Sequence, residues 1–327
     1  AGAGQRWPFA AVSVRLMHYS WSDPMAELNA DITVAAVQLA ARQAWADPSA
    51  LEANTTSVRD TYLDVADTAD LVVFPELTLT GYIPLKGYDQ VKKRLLHRVA
   101  TRAVDEALPV LTEVTAGKRA AMVVGLMEAT TMRNEFFNSV ALIEDGRIRA
   151  IYRKTHLPVE ENHYFTAGSG IKVVDTRIGR VALVICYDML FPELVREAAL
   201  AGAELLVVPS NWLGIDNLER LGEILPVARA LEGQHHVVFV NGVGDLEVRG
   251  RSWSLYGKSC IVSATGEVVA RAGTGPETLI GVLRRSDLDQ AANVFPLMRD
   301  RRPDLYSSII EPATTRAVLR DDNGALL

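Results

Sequence analysis

Three short stretches carry side chains able to do chemistry, and all three place them in the same way. VALVICYDMLFPE (181–193) is an apolar run that ends on Cys186, followed at once by Tyr187 and Asp188. VVFPELTLTGY (72–82) ends its apolar run at Pro75 and Glu76, and RIRAIYRK (147–154) ends on Lys154. A thiol, a carboxylate and an amine thus each stand where a strand-like run hands over to a loop. If those strand ends share one sheet edge, the three side chains converge. Together they would supply the parts of covalent acyl transfer. Cys186 is the nucleophile, Glu76 removes its proton and returns it to the departing amine, and Lys154, with the backbone N–H of Tyr187, meets the developing oxyanion. Singly, each has a plainer reading. A cysteine on an apolar strand is more often a small buried hydrophobe, and a lone glutamate or lysine in a loop is more often solvated or salt-bridged.

The chain that must position them has 327 residues, 49% of them hydrophobic, enough to bury a sizeable core. Its 34 basic and 40 acidic side chains give a net charge of -6 with no long like-charge block, which argues against nucleic acid or an anionic membrane as the main partner. No stretch approaches the roughly 20 apolar residues of a membrane span. Two cysteines, Cys186 and Cys260, cannot build a disulfide framework or a four-thiolate metal site, so cytoplasm is the default compartment. Residues 1–30 read as a poorly ordered extension. WPFAAVSVRLM is interrupted by Arg15 and lacks a basic leader and a clear cleavage site, and Met25 offers a natural start just before the first convincing strand.

Strand-like runs recur from there with two kinds of connection. ITVAAVQL (32–39) precedes a helical stretch at 50–67, LVVFPE (71–76) precedes an irregular segment, and a second helical stretch is predicted over 90–117. AAMVVGLME, FFNSVALIE and RIRAIYRK then follow closely, the last two joined by Asp145-Gly146, a hairpin turn pair. IKVVDT and VALVICYD are joined by a short turn at 177–179. Beyond the cysteine, helices at 192–202 and 217–233 alternate with strands ELLVVPS and HHVVFVNGVG, and strands at 258–264, 267–272 and 278–283 close the chain. Hairpins mixed with βα units predict an α/β protein with mixed sheets in one domain.

FPELTLTGY, YRKTHLP and ICYDMLFPE, in this order, resemble the three signatures of the nitrilase or carbon-nitrogen hydrolase superfamily, over about Ile32 to Tyr306. The resemblance implies a four-layer αββα sandwich with two sheets face to face, occupying 31–306 and leaving 307–327 as a C-terminal tail. It implies Glu76, Lys154 and Cys186 as a catalytic triad, with Glu161 of EENHYFTAG as a second glutamate and the adjacent Glu160 as its alternative. It also implies pairing through helices into a homodimer or larger homo-oligomer.

Tyr82, Tyr187, Asn211 and Trp212 are the substrate-pocket candidates, because each follows a site residue or ends the next strand at the same predicted edge. Core packing is the plainer reading of the aromatics. Of six histidines, His156 and His163 lie near the lysine motif but read as loop residues. His235 and His236, neighbours on a strand, point to opposite faces and make poor joint metal ligands. No Gly-rich phosphate loop precedes a helix, and neither metal nor cofactor is implied. The segment Tyr187–Phe191 offers no cation, whereas relatives acting on carboxylate-bearing substrates often carry an arginine there. The expected substrate is therefore a small neutral aliphatic amide, unless Arg133, Arg249 or Arg251 reaches in from a loop. The alternatives are an N-carbamoyl amino acid or ω-amide hydrolase, a nitrilase, a glutaminase module and a catalytically silent binding protein.

Overall fold

The structure, a computed structural model, describes residues 30–82, 90–132, 135–158, 161–248, 251–306 and 309. The expected extension and C-terminal tail fall almost wholly outside the described residues, as do Glu160, Arg133 and Arg249. In chain order the strands are β1 (Ile32–Gln38), β2 (Leu71–Val73), β3 (Ala121–Ala129), β4 (Phe136–Glu144), β5 (Arg147–Arg153), β6 (Lys172–Thr176) and β7 (Gly179–Leu183). They continue as β8 (Leu205–Ser210), β9 (His236–Asn241), β10 (Asp245–Val248), β11 (Arg251–Ser254), β12 (Cys260–Val262), β13 (Val268–Arg271) and β14 (Glu277–Leu283). The helices are α1 (Ala50–Val65), α2 (Gln90–Arg102), α3 (Leu108–Val114), α4 (Pro192–Leu200), α5 (Asp216–Gly233) and α6 (Arg285–Val294).

Two six-stranded sheets form, in the orders β14-β1-β2-β3-β4-β5 and β13-β12-β9-β8-β7-β6. Both are mixed, with β1, β2 and β3 parallel in one and β7, β8 and β9 parallel in the other, flanked by antiparallel strands. Residue parity explains the layers. Val34, Ala36, Leu71, Val73 and Val123 face Val181, Leu183, Val207 and Val238 in a core between the sheets. The alternate positions Ala35, Val72, Phe74 and Met122 pack on α1 and α3, and Ala182, Val184, Leu206 and Phe239 pack on α4 and α5. Strands buried on both faces need apolar residues at every position, hence the unbroken apolar runs. The result is the four-layer αββα sandwich.

Three local departures have physical causes. The helix expected over 90–117 is interrupted by a π-helical turn at Ala103–Ala107. Pro109, in the first turn of α3, cannot donate to the helix ladder and crowds the carbonyl four residues back. The expected strand 71–76 stops at Val73, and the chain reaches Glu76 as a loop. The hairpin β10–β11 and helix α6 belong to no predicted element.

His235 and His236 are fully buried at the start of β9. The His236 Nδ1 accepts from the Ala264 N–H at 3.0 Å, a bond that only a neutral ring makes. Burial pushes His235 down to about 3, helped by His236 and Arg196. Burial likewise pushes His236 down to about 4, against the opposing pull of the Arg284 backbone and Asp31. Both folded values lie below the ordinary 6.5, so their contribution to stability is whole above that pH. It is lost as pH falls from there through about 4 and 3, each histidine steepening the fall by up to ~1.4 kcal/mol per pH unit. The urea midpoint should therefore drop between pH 6.5 and 4. The variant His236→Asn, which keeps an acceptor without a titrating ring, should drop less steeply. Identical slopes in the two proteins would contradict this account.

Candidate active site

Topology brings the three strand ends together. β5 is two antiparallel steps from β3, so it runs in the direction of β2 and β3, and the residues following β2 and β5 emerge at one edge. The contacts show that the ends of β7 and β8, in the facing sheet, meet that same edge. Lys154 Nζ donates to Glu76 Oε1 and to Glu161 Oε1, each at 2.8 Å, and all three side chains are buried. The Asn211 backbone N–H, just beyond β8, donates to Glu76 Oε2 at 2.8 Å.

Cys186 opens a tight turn, Cys186–Leu190, after β7, and is partly exposed. It sits at φ 49°, in the left-handed region that a residue with a Cβ seldom adopts. Leu77, directly after Glu76, does the same at φ 52°. Such conformations persist where surrounding contacts over-determine them. At Cys186 the contacts come from Asp188, fully buried within the turn. Its Oδ2 accepts from the Ile185 N–H at 3.1 Å and the Tyr152 hydroxyl at 2.7 Å. Its Oδ1 accepts from the Thr155 hydroxyl and the His156 backbone N–H, both at 2.8 Å, and His156 Nδ1 lies 2.9 Å away. One carboxylate therefore ties the nucleophile's turn to the segment just beyond Lys154.

The electrostatics follow from burial and from one cation facing two carboxylates. Burial opposes the charge on Lys154, but Glu161 and Glu76 outweigh it and hold the ammonium well above the ordinary lysine range. Burial pushes Glu161 up, and Glu76 adds to that, while Lys154 opposes it. Burial likewise pushes the Cys186 thiol well above the ordinary thiol range, with Glu76 adding and Lys154 opposing. Cys186 therefore rests as a protonated thiol, and an attacking thiolate requires a base at the moment of reaction. Cys260 is fully buried in the outer core, its thiol pushed up to about 11 by burial, and stands apart from these groups.

The pocket candidates separate. The Tyr82 hydroxyl donates to Glu161 Oε1 at 2.6 Å, and its ring packs in a satellite cluster with Leu77 and Phe136. Tyr187 is partly exposed, edge-on to Phe191 at 5.2 Å, and Phe191 stacks on His156 at 3.7 Å. Asn211 spends its side-chain amide on the Glu76 carbonyl at 2.6 Å, holding the carboxylate's own backbone. Trp212 is buried in the core on the α4–α5 side, edge-on to Phe239 at 5.7 Å, and its backbone N–H donates to Asn241 Oδ1 at 2.6 Å.

Residues without reactive side chains also build the site. Asn138 of β4 donates from Nδ2 to Glu76 Oε1 at 2.6 Å. Gly125 of β3 lies under the Glu76 loop, where a Cβ would stand 2.4 Å from the Leu77 nitrogen and 2.5 Å from the Pro75 oxygen. At Gly242 a Cβ would stand 2.2 Å from Asn211 Oδ1. Any side chain at either glycine would displace the Glu76 loop or the amide that braces it. A glycine inside a strand-like run, GLME, and the asparagine in FFNSVALIE are the signals that could have pointed to them. Among the described residues no group of three His, Cys, Asp or Glu is placed to hold a metal ion, and no helix is long and apolar enough to cross a membrane.

The carbon-nitrogen hydrolase family profile matches residues 33–293, so the chain belongs to that family, hydrolases acting on non-peptide carbon-nitrogen bonds. A probable nitrilase from Schizosaccharomyces pombe is 30% identical over 249 residues, covering 74% of this chain and 86% of the relative. A 2-oxoglutaramate amidase from Paenarthrobacter nicotinovorans is 30% identical over 298 residues, covering 87% and 94%. Among solved structures, a mutant of the amidase from Nesterenkonia sp. AN1 carries the acetamide moiety of fluoroacetamide covalently on its active-site cysteine. It superposes with a TM-score of 0.69 at 26% identity, covering 85% of this chain and 96% of that one.

Proposed function

We propose that this chain is an amidase for small neutral aliphatic amides, releasing ammonia and the free acid through a thioester on Cys186. The observation that carries the chemistry is the placement of Lys154 Nζ at 2.8 Å from both Glu76 and Glu161, with the strained Cys186 turn tied by Asp188 to the segment just beyond Lys154. In this reading Sγ attacks the amide carbon while Glu76 takes the thiol proton. Lys154 Nζ and the Tyr187 N–H meet the oxyanion, and Glu76 returns the proton to the departing nitrogen. Ammonia leaves, Glu76 deprotonates the water that attacks the thioester, and the departing Cys186 sulfur takes that proton back as the acid is released. Glu161, braced by Tyr82, positions Lys154. The solved relative whose active-site cysteine carries the acetamide moiety of fluoroacetamide supports a nucleophilic role for the cysteine.

The preference for a neutral acyl group rests on the surroundings of the thiol. Asp188 is engaged by its own turn and by the segment after Lys154, and Tyr187 and Phe191 present aromatic surface. An acyl chain ending in a carboxylate would be desolvated there at a cost of several kcal/mol unless a cation met it. The 2-oxoglutaramate amidase relative favours a second reading, hydrolysis of an ω-amide that bears a carboxylate. The two are separated by kcat/KM for propionamide against that for an ω-amide of a short dicarboxylic acid. The neutral reading expects propionamide to be preferred at least tenfold. A clear preference for the charged amide would overturn it and direct attention to Arg133, Arg249 and Arg251.

A further inference from the structure

Asn138 is buried on the inner face of β4, on the same parity as the inter-sheet core residues Val140 and Leu142. Its Nδ2 donates to Glu76 Oε1 at 2.6 Å and to Glu161 Oε2 at 3.4 Å, the second a long bond. The orientation of the amide is forced, because turning it over would set Oδ1 against two carboxylate oxygens with no donor between them. Kept this way, Oδ1 is buried without a donor among the described residues. A residue retained for packing alone has no reason to carry an orphaned oxygen in an apolar strand.

The charges around it give that amide its work. Glu76 and Glu161 share one cation, Lys154. Tyr82, from the loop after β2, donates to Glu161, and the Asn211 N–H, from the loop after β8, donates to Glu76. Cys186, from the turn after β7, completes the titratable groups that face the pair. Among the described residues, Lys154 and Asn138 are the two whose side chains bond to both carboxylates.

We infer that Asn138 is a positioning residue for the amide hydrolysis proposed above: its amide spans Glu76 and Glu161, fixes their spacing about Lys154, and holds Glu76 where it can accept the thiol proton. An N–H donated to a carboxylate favours the charged form, so its removal moves the carboxylate's titration upward.

The test is the pH dependence of Cys186 alkylation by acrylamide, followed by intact mass between pH 5 and 9 in the wild type, Asn138→Ala, Asn138→Ser and Asn138→Asp. Acrylamide needs no turnover, so the readout is independent of which amide the protein hydrolyses. In Asn138→Ala the acid limb of the rate should move up by about one pH unit, a loss that approaches tenfold well below the limb and vanishes above it. Asn138→Ser, which keeps one donor, should fall between the two, and it carries the same comparison if the alanine variant does not fold. Asn138→Asp, of equal volume but with a third carboxylate, should be slower than Asn138→Ala even at pH 8. A loss that is the same at every pH, or an unmoved limb, would show that Asn138 only packs and would overturn the inference. A wild type that hydrolyses no simple amide, together with a limb shift in Asn138→Ala, would overturn the proposed function and leave Asn138 as the residue that positions Glu76 for the thiol.

Discussion

Replacing Cys186 with alanine should abolish amide turnover, by about a million-fold in kcat, the scale on which removing a catalytic nucleophile acts in other covalent hydrolases. The same variant should take up no acrylamide, while the wild type takes up one equivalent, on Cys186. The other thiol is no competitor, because Cys260 is fully buried among Val262, Phe239 and Leu206 and no electrophile reaches it without unfolding. Melting should be little changed, since the substitution removes a single sulfur atom and leaves the Asp188 contacts intact. Peptide mapping decides the matter: a label on Cys260, or turnover surviving in Cys186→Ala, would remove Cys186 from the mechanism.

Lys154→Met should come next in size, and it should act on two quantities at once. Loss of one oxyanion donor costs about 10²- to 10³-fold in kcat. Two buried carboxylates, each 2.8 Å from the missing ammonium, are also left without their cation. Breaking a buried pair by removing one partner costs about 3–5 kcal/mol of stability. The deficit relative to the wild type at the same pH should be smaller toward acid pH, where buried carboxylates can be neutralised by protons. Activity assays together with urea unfolding at pH 5 and pH 8 test this. A variant as stable as the wild type at pH 8 would show that the lysine does not hold the pair together.

Legibility in the sequence followed the range of the forces involved. β4 runs over Phe136–Glu144 as predicted, and the Asp145-Gly146 turn that joins it to β5 has both residues at positive φ, 49° and 69°. That hairpin is written in neighbouring residues. Elements with weak local signals were not legible. β10 and β11 come from the charged run DLEVRGRSWS, and α6 buries Leu288 as its one large apolar side chain in the core. Pro109 split a helix whose periodicity continues across it.

At the site, the sequence by itself determined which residues stand at the strand ends, Glu76, Lys154 and Cys186, whereas Glu161 came only from the family resemblance, with Glu160 as its alternative. Apolar runs and turn residues act over a few positions, so the places where strands hand over to loops can be read directly. Tertiary structure decided what those groups face. Asn138 reaches Glu76 across 62 residues of chain and Asn211 across 135, and no local pattern specifies either partner. It likewise turned Asn211 toward Glu76 and Trp212 into the outer core, and made Asp188 the brace of the nucleophile's turn. The protonation of a buried thiol, ammonium and two carboxylates depends on every donor and charge within a few ångströms and on the exclusion of water, and only the packed sandwich brings those groups together.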